Sequence, residues 1–158
     1  MLTHIDDNGN AKMVNISEKA ITQRLAIASG KIAMRNETLA LLISQGHKKG
    51  DVLTVAKIAA IQAAKNTSSL IPMCHPIALT SVEIEFKIHE KDLLIECIAT
   101  TICSGQTGVE MEALTAVSVG LLTIYDMCKA MDRGMEIQNI SLIKKKGGKS
   151  DDWEENHK

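Results

Sequence analysis

Thr80-Ser81-Val82-Glu83-Ile84-Glu85-Phe86-Lys87-Ile88 is the stretch on which the fold turns. Val82, Ile84, Phe86 and Ile88 alternate with Glu83, Glu85 and Lys87, so a strand here sets one face to a core and one to water. His89-Glu90-Lys91-Asp92 supplies a turn, and residues 93–103 return as a second strand, giving a hairpin. Beyond it the chain's longest helix runs from about Val109 to Ala130, and Ile137, Ile140, Leu142 and Ile143 mark a last strand over 137–143. Upstream, residues near 23–34 (Leu25, Ile27, Ile32 and Met34 around Ser29-Gly30) are compatible with a strand but weakly patterned. Asn36-Glu37 opens a short helix that ends at Gln45-Gly46. Lys48-Lys49-Gly50-Asp51 is a loop, and Asp51 is placed to cap a helix running to about Lys65. Strands that bunch in hairpins, with amphipathic helices to lay over them, predict an α+β fold with an antiparallel sheet and helices on one face.

The 158 residues read as one domain, 1–158, with a polar N-terminal segment over about 1–12 and a mobile tail over about 144–158. A net charge of −1 asks for neither nucleic acid nor an anionic membrane as partner. Phe86, Tyr125 and Trp153 are the whole aromatic complement, too few for a base-stacking surface. No long uninterrupted apolar run or signal-like leader is apparent, so a cytoplasmic location is expected. Cys74, Cys97, Cys103 and Cys128 form no C-x-x-C pair and stand at no zinc-like spacing from a histidine, so reduced, mostly buried thiols and no metal site are expected.

Chemistry concentrates at the head of the long helix, in Gly105-Gln106-Thr107-Gly108-Val109-Glu110-Met111-Glu112. A helix start exposes unpaired N–H groups and favours negative charge, which is expected to lower the pKa of Glu110 and Glu112. Thr107 and Glu110 have capping-box spacing, a structural task that accounts for one acid only. Both prolines fall in Ile71-Pro72-Met73-Cys74-His75-Pro76, so His75 is displayed on a stiffened loop. Four bases (Lys49, His75, Lys129, Lys145) and three acids (Glu110, Glu112, Asp126) together suit proton shuttling on a phosphorylated substrate. Each has a plainer reading. Lys49 beside Lys48 would be a solvated loop lysine, His75 a hydrogen-bonded loop residue, and Asp126 with Lys129 a surface ion pair. His4, His47, His89 and His157 are taken as surface residues without partners. Gly147-Gly148-Lys149-Ser150 imitates the end of a P-loop, but the motif's first glycine would fall at Ile143.

Glu112 and Asp126 lie about 40° apart around the helix but roughly 21 Å apart along it. One small site can use both when two copies of the helix meet antiparallel across a two-fold axis. The broad apolar arc (Leu114, Val117, Leu121, Leu122, Ile124, Tyr125, Cys128) and a mid-helix Gly120 suggest such pairing, hence an oligomer with composite sites.

The chain resembles the cyclic pyranopterin monophosphate synthase family, molybdenum cofactor biosynthesis protein C. The likeness runs from Leu2-Thr3-His4-Ile5 to Gly147-Gly148-Lys149-Ser150. It takes in Lys49-Gly50-Asp51, Ile61-Gln62-Ala63-Ala64-Lys65, Leu70–Pro76, Thr107–Ala116 and Leu122–Ala130. The resemblance implies a ferredoxin-like fold, a hexamer built as a trimer of dimers, and sites at dimer interfaces. It implies a lyase that converts 3',8-cyclo-7,8-dihydroguanosine triphosphate into cyclic pyranopterin monophosphate with release of pyrophosphate, acting after a radical S-adenosylmethionine enzyme. The family's functional positions fall on Lys49, His75, Glu110, Glu112, Asp126, Lys129 and Lys145, with substrate contacts at Met73-Cys74-His75 and Met111-Glu112. On these, Asp126 and Lys129 are the expected acid/base centre, and Glu110 and Glu112 orient the base edge or activate water. Lys49, His75 and Lys145 would hold the triphosphate. No cofactor is implied; magnesium accompanying the triphosphate is left open, and no octahedral ligand set stands out. The competing class is a non-catalytic oligomer that senses a nucleotide or pterin in the same pocket.

Overall fold

The computed structural model describes residues 3–45, 51–148 and 152–155. In chain order these form β1 (Thr22–Ala33), α1 (Asn36–Gln45), α2 (Val52–Lys65), the single turn α3 (Thr67–Leu70), β2 (Leu79–His89), β3 (Leu94–Gly105), α4 (Glu110–Cys128), β4 (Glu136–Lys146) and β5 (Trp153–Glu154). The sheet order is β2-β3-β1-β4-β5, and every neighbouring pair is antiparallel. With α2 and α4 as the crossovers, the first four strands trace the βαββαβ path of a ferredoxin-like fold. Both long helices lie on one face, packed on each other and on the sheet.

Small residues set that packing. Arg24, Ala26, Ala28, Gly30 and Ile32 alternate into the interior of β1. A Cβ at Gly30 would stand 2.8 Å from side-chain carbons of Val117 and Ile140, so α4 can lie this close only over glycine. Ala56, Ala60 and Ala64 of α2 are buried, as are Ala113 and Ala116 of α4. Gly120 shares this seam, where a Cβ would lie 3.3 Å from Ala60 Cβ and 3.4 Å from Cys97 Sγ. The close approach that Gly120 permits is therefore within one chain, and it lends no support to pairing between copies. By length and composition α4 could cross a membrane, yet its buried Val117, Leu121 and Ile124 form the core, which accounts for its apolarity.

Asp51 does cap α2: its carboxylate accepts from the Leu53 N–H at 3.1 Å and from Thr54 Oγ1 at 3.1 Å. The last strand runs longer than the periodicity implied. Residues 144–146, assigned above to a mobile tail, continue β4, and Trp153–Glu154 pairs back onto Lys144 and Lys145. A Lys144–Glu154 ion pair of 2.7 Å accompanies that return. The N-terminal segment also has order of its own, since Asp6 Oδ1 accepts from the N–H groups of Asn8 (2.9 Å) and Asn10 (2.8 Å). Cys97, Cys103 and Cys128 are buried, Cys74 is half-buried, and all four are free. His89 has a partner after all, Glu96 on the neighbouring strand at 3.1 Å.

Candidate active site

Three segments converge at the N-terminal end of α4. Thr101, wholly buried on β3, donates from Oγ1 to the Val109 carbonyl at 3.0 Å and so ties down the residue before the helix. Val109 is the N-cap, and no side chain caps it. The expected Thr107–Glu110 capping box is not formed, because Glu110 has another partner. Its Oε1 lies 3.1 Å from Lys145 Nζ, and its carboxylate folds over Gly108 into the space a Cβ there would occupy.

How Lys145 comes to face Glu110 is decided by a bulge. Leu142 pairs with Ala28 and Lys144 with Ile27, which leaves Ile143 as an extra residue opposite one step of β1. Without it, simple alternation would put Leu142, Lys144 and Lys146 on one face and turn Lys145 away. With it, Lys145 pairs with the buried Ala26 and takes the helix-side face.

Glu112 is 3% exposed, deep for a carboxyl group. Burial pushes its pKa up to about 7; its own backbone N–H, which its carboxylate accepts, pulls the other way, and the nearby Glu110 charge adds to the rise. The helix-start argument predicted a lowered value. Desolvation outweighs it.

Glu110, Met111 and Glu112 share a cavity of about 260 Å³ with Met73, Cys74 and His75. Cys74 favours the thiol form, its pKa raised by burial and then by the Glu112 charge. A second hollow of about 520 Å³ shares Lys19, Thr107, Gly108 and Glu110 with the first, and adds Arg24 and Lys145. One trough thus has an acidic, thiol- and imidazole-lined end and a cationic end.

Seven of the ten sequence-derived site residues are brought here: Met73, Cys74, His75, Glu110, Met111, Glu112 and Lys145. Asp126 and Lys129 are not. They form a 2.6 Å ion pair near the other end of α4 with side chains 70% and 55% exposed, the surface pair that was their plainer reading. Lys49 lies outside the described residues. His4, taken as a plain surface residue, lines the cavity.

Sequence reading missed Arg24 and Lys19. Arg24 is 8% exposed and donates from Nε to the Gly105 carbonyl at 3.2 Å. Its signal was present: it shares strand parity with Ala26, Ala28 and Ile32, a charge on a buried face. Gly147, at φ +92°, and Gly148 press on the Gln23 carbonyl and the Arg24 guanidinium, where any Cβ would collide. That is the task of the glycine pair in the false P-loop. Among the described residues no cluster of three or more His, Cys, Asp or Glu is arranged to hold a metal ion.

Fold and site together define a ferredoxin-like α+β protein with a recessed pocket lined by Glu110, Glu112 and His75 beside a cationic groove. A family model described as the MoaC family matches residues 13–148, and the chain belongs to that family. This is the family of cyclic pyranopterin monophosphate synthase, and membership places the protein in molybdenum cofactor biosynthesis, consistent with an enzyme.

Proposed function

We propose that the protein is a lyase that turns 3',8-cyclo-7,8-dihydroguanosine triphosphate into cyclic pyranopterin monophosphate and pyrophosphate. The observation that carries this reading is Glu112, a buried carboxyl group with a pKa near 7, set at the end of a groove lined by Lys19, Arg24 and Lys145. A group titrating near the working pH can give a proton and take it back, which opening and rebuilding a purine ring requires. Closing a cyclic monophosphate requires an internal hydroxyl to form a new P–O bond at the α-phosphorus as the bond to the departing pyrophosphate breaks. The hydroxyl proton needs an acceptor, and the pyrophosphate needs cations. Arg24 and Lys145 suit the second role and Glu110, half-buried against Lys145, the first.

Asp126 and Lys129 enter this reading through a second copy of the chain, within a homo-oligomer for which a hexamer is the family expectation. Support comes from the outer stripe of α4. Met111 and Leu122 are 36% and 56% exposed, and with Lys129 they fall within about 20° of one another around the axis. Two exposed apolar side chains on the face that carries Lys129 would suit contact with a partner helix.

Incubation with the cyclised dihydro-GTP tests the whole reading. Formation of pyrophosphate and the cyclic pterin supports it; tight binding without turnover makes the protein a sensor. A sharper expectation attaches to Gly108→Ala. The added methyl group meets only the flexible end of Glu110, so unfolding stability should change by less than about 1 kcal/mol. Turnover should nevertheless drop roughly tenfold as the carboxylate is displaced from Lys145. Urea unfolding beside kcat checks both halves.

A further inference from the structure

Gln106 sits in the loop before α4, and none of the chemistry above uses it. Its Nε2 donates to two backbone carbonyls far away in sequence, Lys19 at 2.9 Å and Ser17 at 3.2 Å. Those carbonyls belong to the segment leading into β1. Among its described residues this segment otherwise bonds to itself, Lys12 N–H to the His4 carbonyl and Lys19 N–H to the Ile16 carbonyl, for example. Its Val14 and Ile16 are half-buried and line the Glu112 cavity, while Lys19 lines both that cavity and the cationic hollow. The loop that carries Gln106 is itself held fast, through the Thr22–Gly105 strand pair and the Arg24 bond to the Gly105 carbonyl.

We infer that Gln106 is a positioning residue. It clamps residues 14–19 as a roof on the site and sets Lys19 where the two hollows join, so that Lys19 can meet the substrate's phosphates. A primary amide suits the task, with two N–H donors for two carbonyls. Glutamate in its place would set acceptor against acceptor, and leucine would fill the volume while donating nothing. Gln106 itself borders the cationic hollow, and a clamp of this kind acts on binding before chemistry, because its effect falls through Lys19 on the ground-state triphosphate.

The inference rests on the reading of the groove as a triphosphate site, and the test separates the two. Gln106→Leu, Gln106→Glu, Lys19→Gln and the Gln106→Leu/Lys19→Gln double variant are compared with wild type. The readouts are KM and kcat on the cyclised dihydro-GTP, inorganic tripolyphosphate affinity by calorimetry, and amide exchange over residues 12–21. For Gln106→Leu we expect KM and the tripolyphosphate Kd to rise about tenfold, kcat to stay within about twofold, and exchange in 12–21 to quicken. The double variant should be no worse than Lys19→Gln alone, since the clamp acts through that lysine. A merely structural tie would lower stability and leave KM untouched, and that outcome overturns the inference, as does multiplication of the two single effects. Gln106→Glu, nearly identical in size, keeps the test open if the leucine variant folds poorly. A wild-type protein that neither turns over the substrate nor binds tripolyphosphate overturns the triphosphate reading, and this inference with it. Unchanged affinity in both Gln106 variants beside a working wild type removes the clamp alone.

Discussion

Glu112→Gln is expected to make the protein more stable at pH 8 and almost inactive. The carboxyl group is buried and titrates near pH 7 in the folded chain, against an ordinary value of 4.5. Its folded pKa is raised, so the folded state holds a proton that the unfolded state has already released between these values. Stability from this group is fully present below about pH 4.5 and drains away as pH climbs through 7. The shift corresponds to a penalty on the order of 3 kcal/mol in the ionised folded protein. Glutamine has nearly the same shape, carries no charge at any pH, and escapes that penalty. Urea midpoints of the two proteins should therefore lie close together near pH 4.5 and separate towards pH 8, with the variant higher. Activity should move in the opposite sense, dropping by roughly 10²–10⁴ with the loss of a proton-transfer group. The wild-type pH profile should show a limb near 7 that the variant's residual activity lacks. A variant less stable than wild type at pH 8 would mean that Glu112 is ionised and paired, which removes the acid/base role built on it.

What could be read from the chain follows from the size of the residues involved. The β2–β3 hairpin was legible because bulky apolar and charged side chains alternate there, from Val82 to Ile88. β1, the strand at the centre of the topology, was only faintly legible, because its inward positions are Ala26, Ala28 and Gly30, kept small by the close approach of α4. The acids at the head of α4 were found by position, but burial was invisible, so the direction of the Glu112 pKa was misjudged. Lys145 was identified, yet nothing local in Lys144-Lys145-Lys146 says which lysine turns inward; the bulge at Ile143 decides it through pairing with β1. The hydrogen bonds that tie Arg24 to Gly105 and Gln106 to Ser17 and Lys19 span 81 to 89 residues of chain, beyond the reach of any periodicity. Asp126 and Lys129 were legible as a pair on one helix face, and the surface they form is open in the single chain.

That open pair leads to the second large effect: two inactive proteins should restore one another. Glu112→Gln and Asp126→Asn are each expected to lower turnover at least a hundredfold as pure proteins. Glu112 and Asp126 stand equally far from Val119, seven residues on either side. A two-fold axis crossing α4 at Val119 would lay two helices antiparallel and bring Glu112 of one copy beside Asp126 of the other. In a mixed dimer of the two variants, one site then collects both substitutions and the other collects neither. Random reassortment of equal amounts makes half of the dimers mixed, each with one intact site of two, so about a quarter of wild-type activity should return. The parent proteins should be unfolded and refolded together, with recovery compared against each variant refolded alone. Substituting exposed Leu122, one turn from Val119, with a charged residue should abolish the recovery, because it places an unpaired charge beside the proposed axis. If the mixture stays at the level of its parents while wild type refolded in the same way regains full activity, Glu112 and Asp126 do not meet across chains. The exposed ion pair near the far end of α4 would then be a surface feature, and the proton chemistry would have to be completed by Glu110, Glu112 and His75 within one subunit.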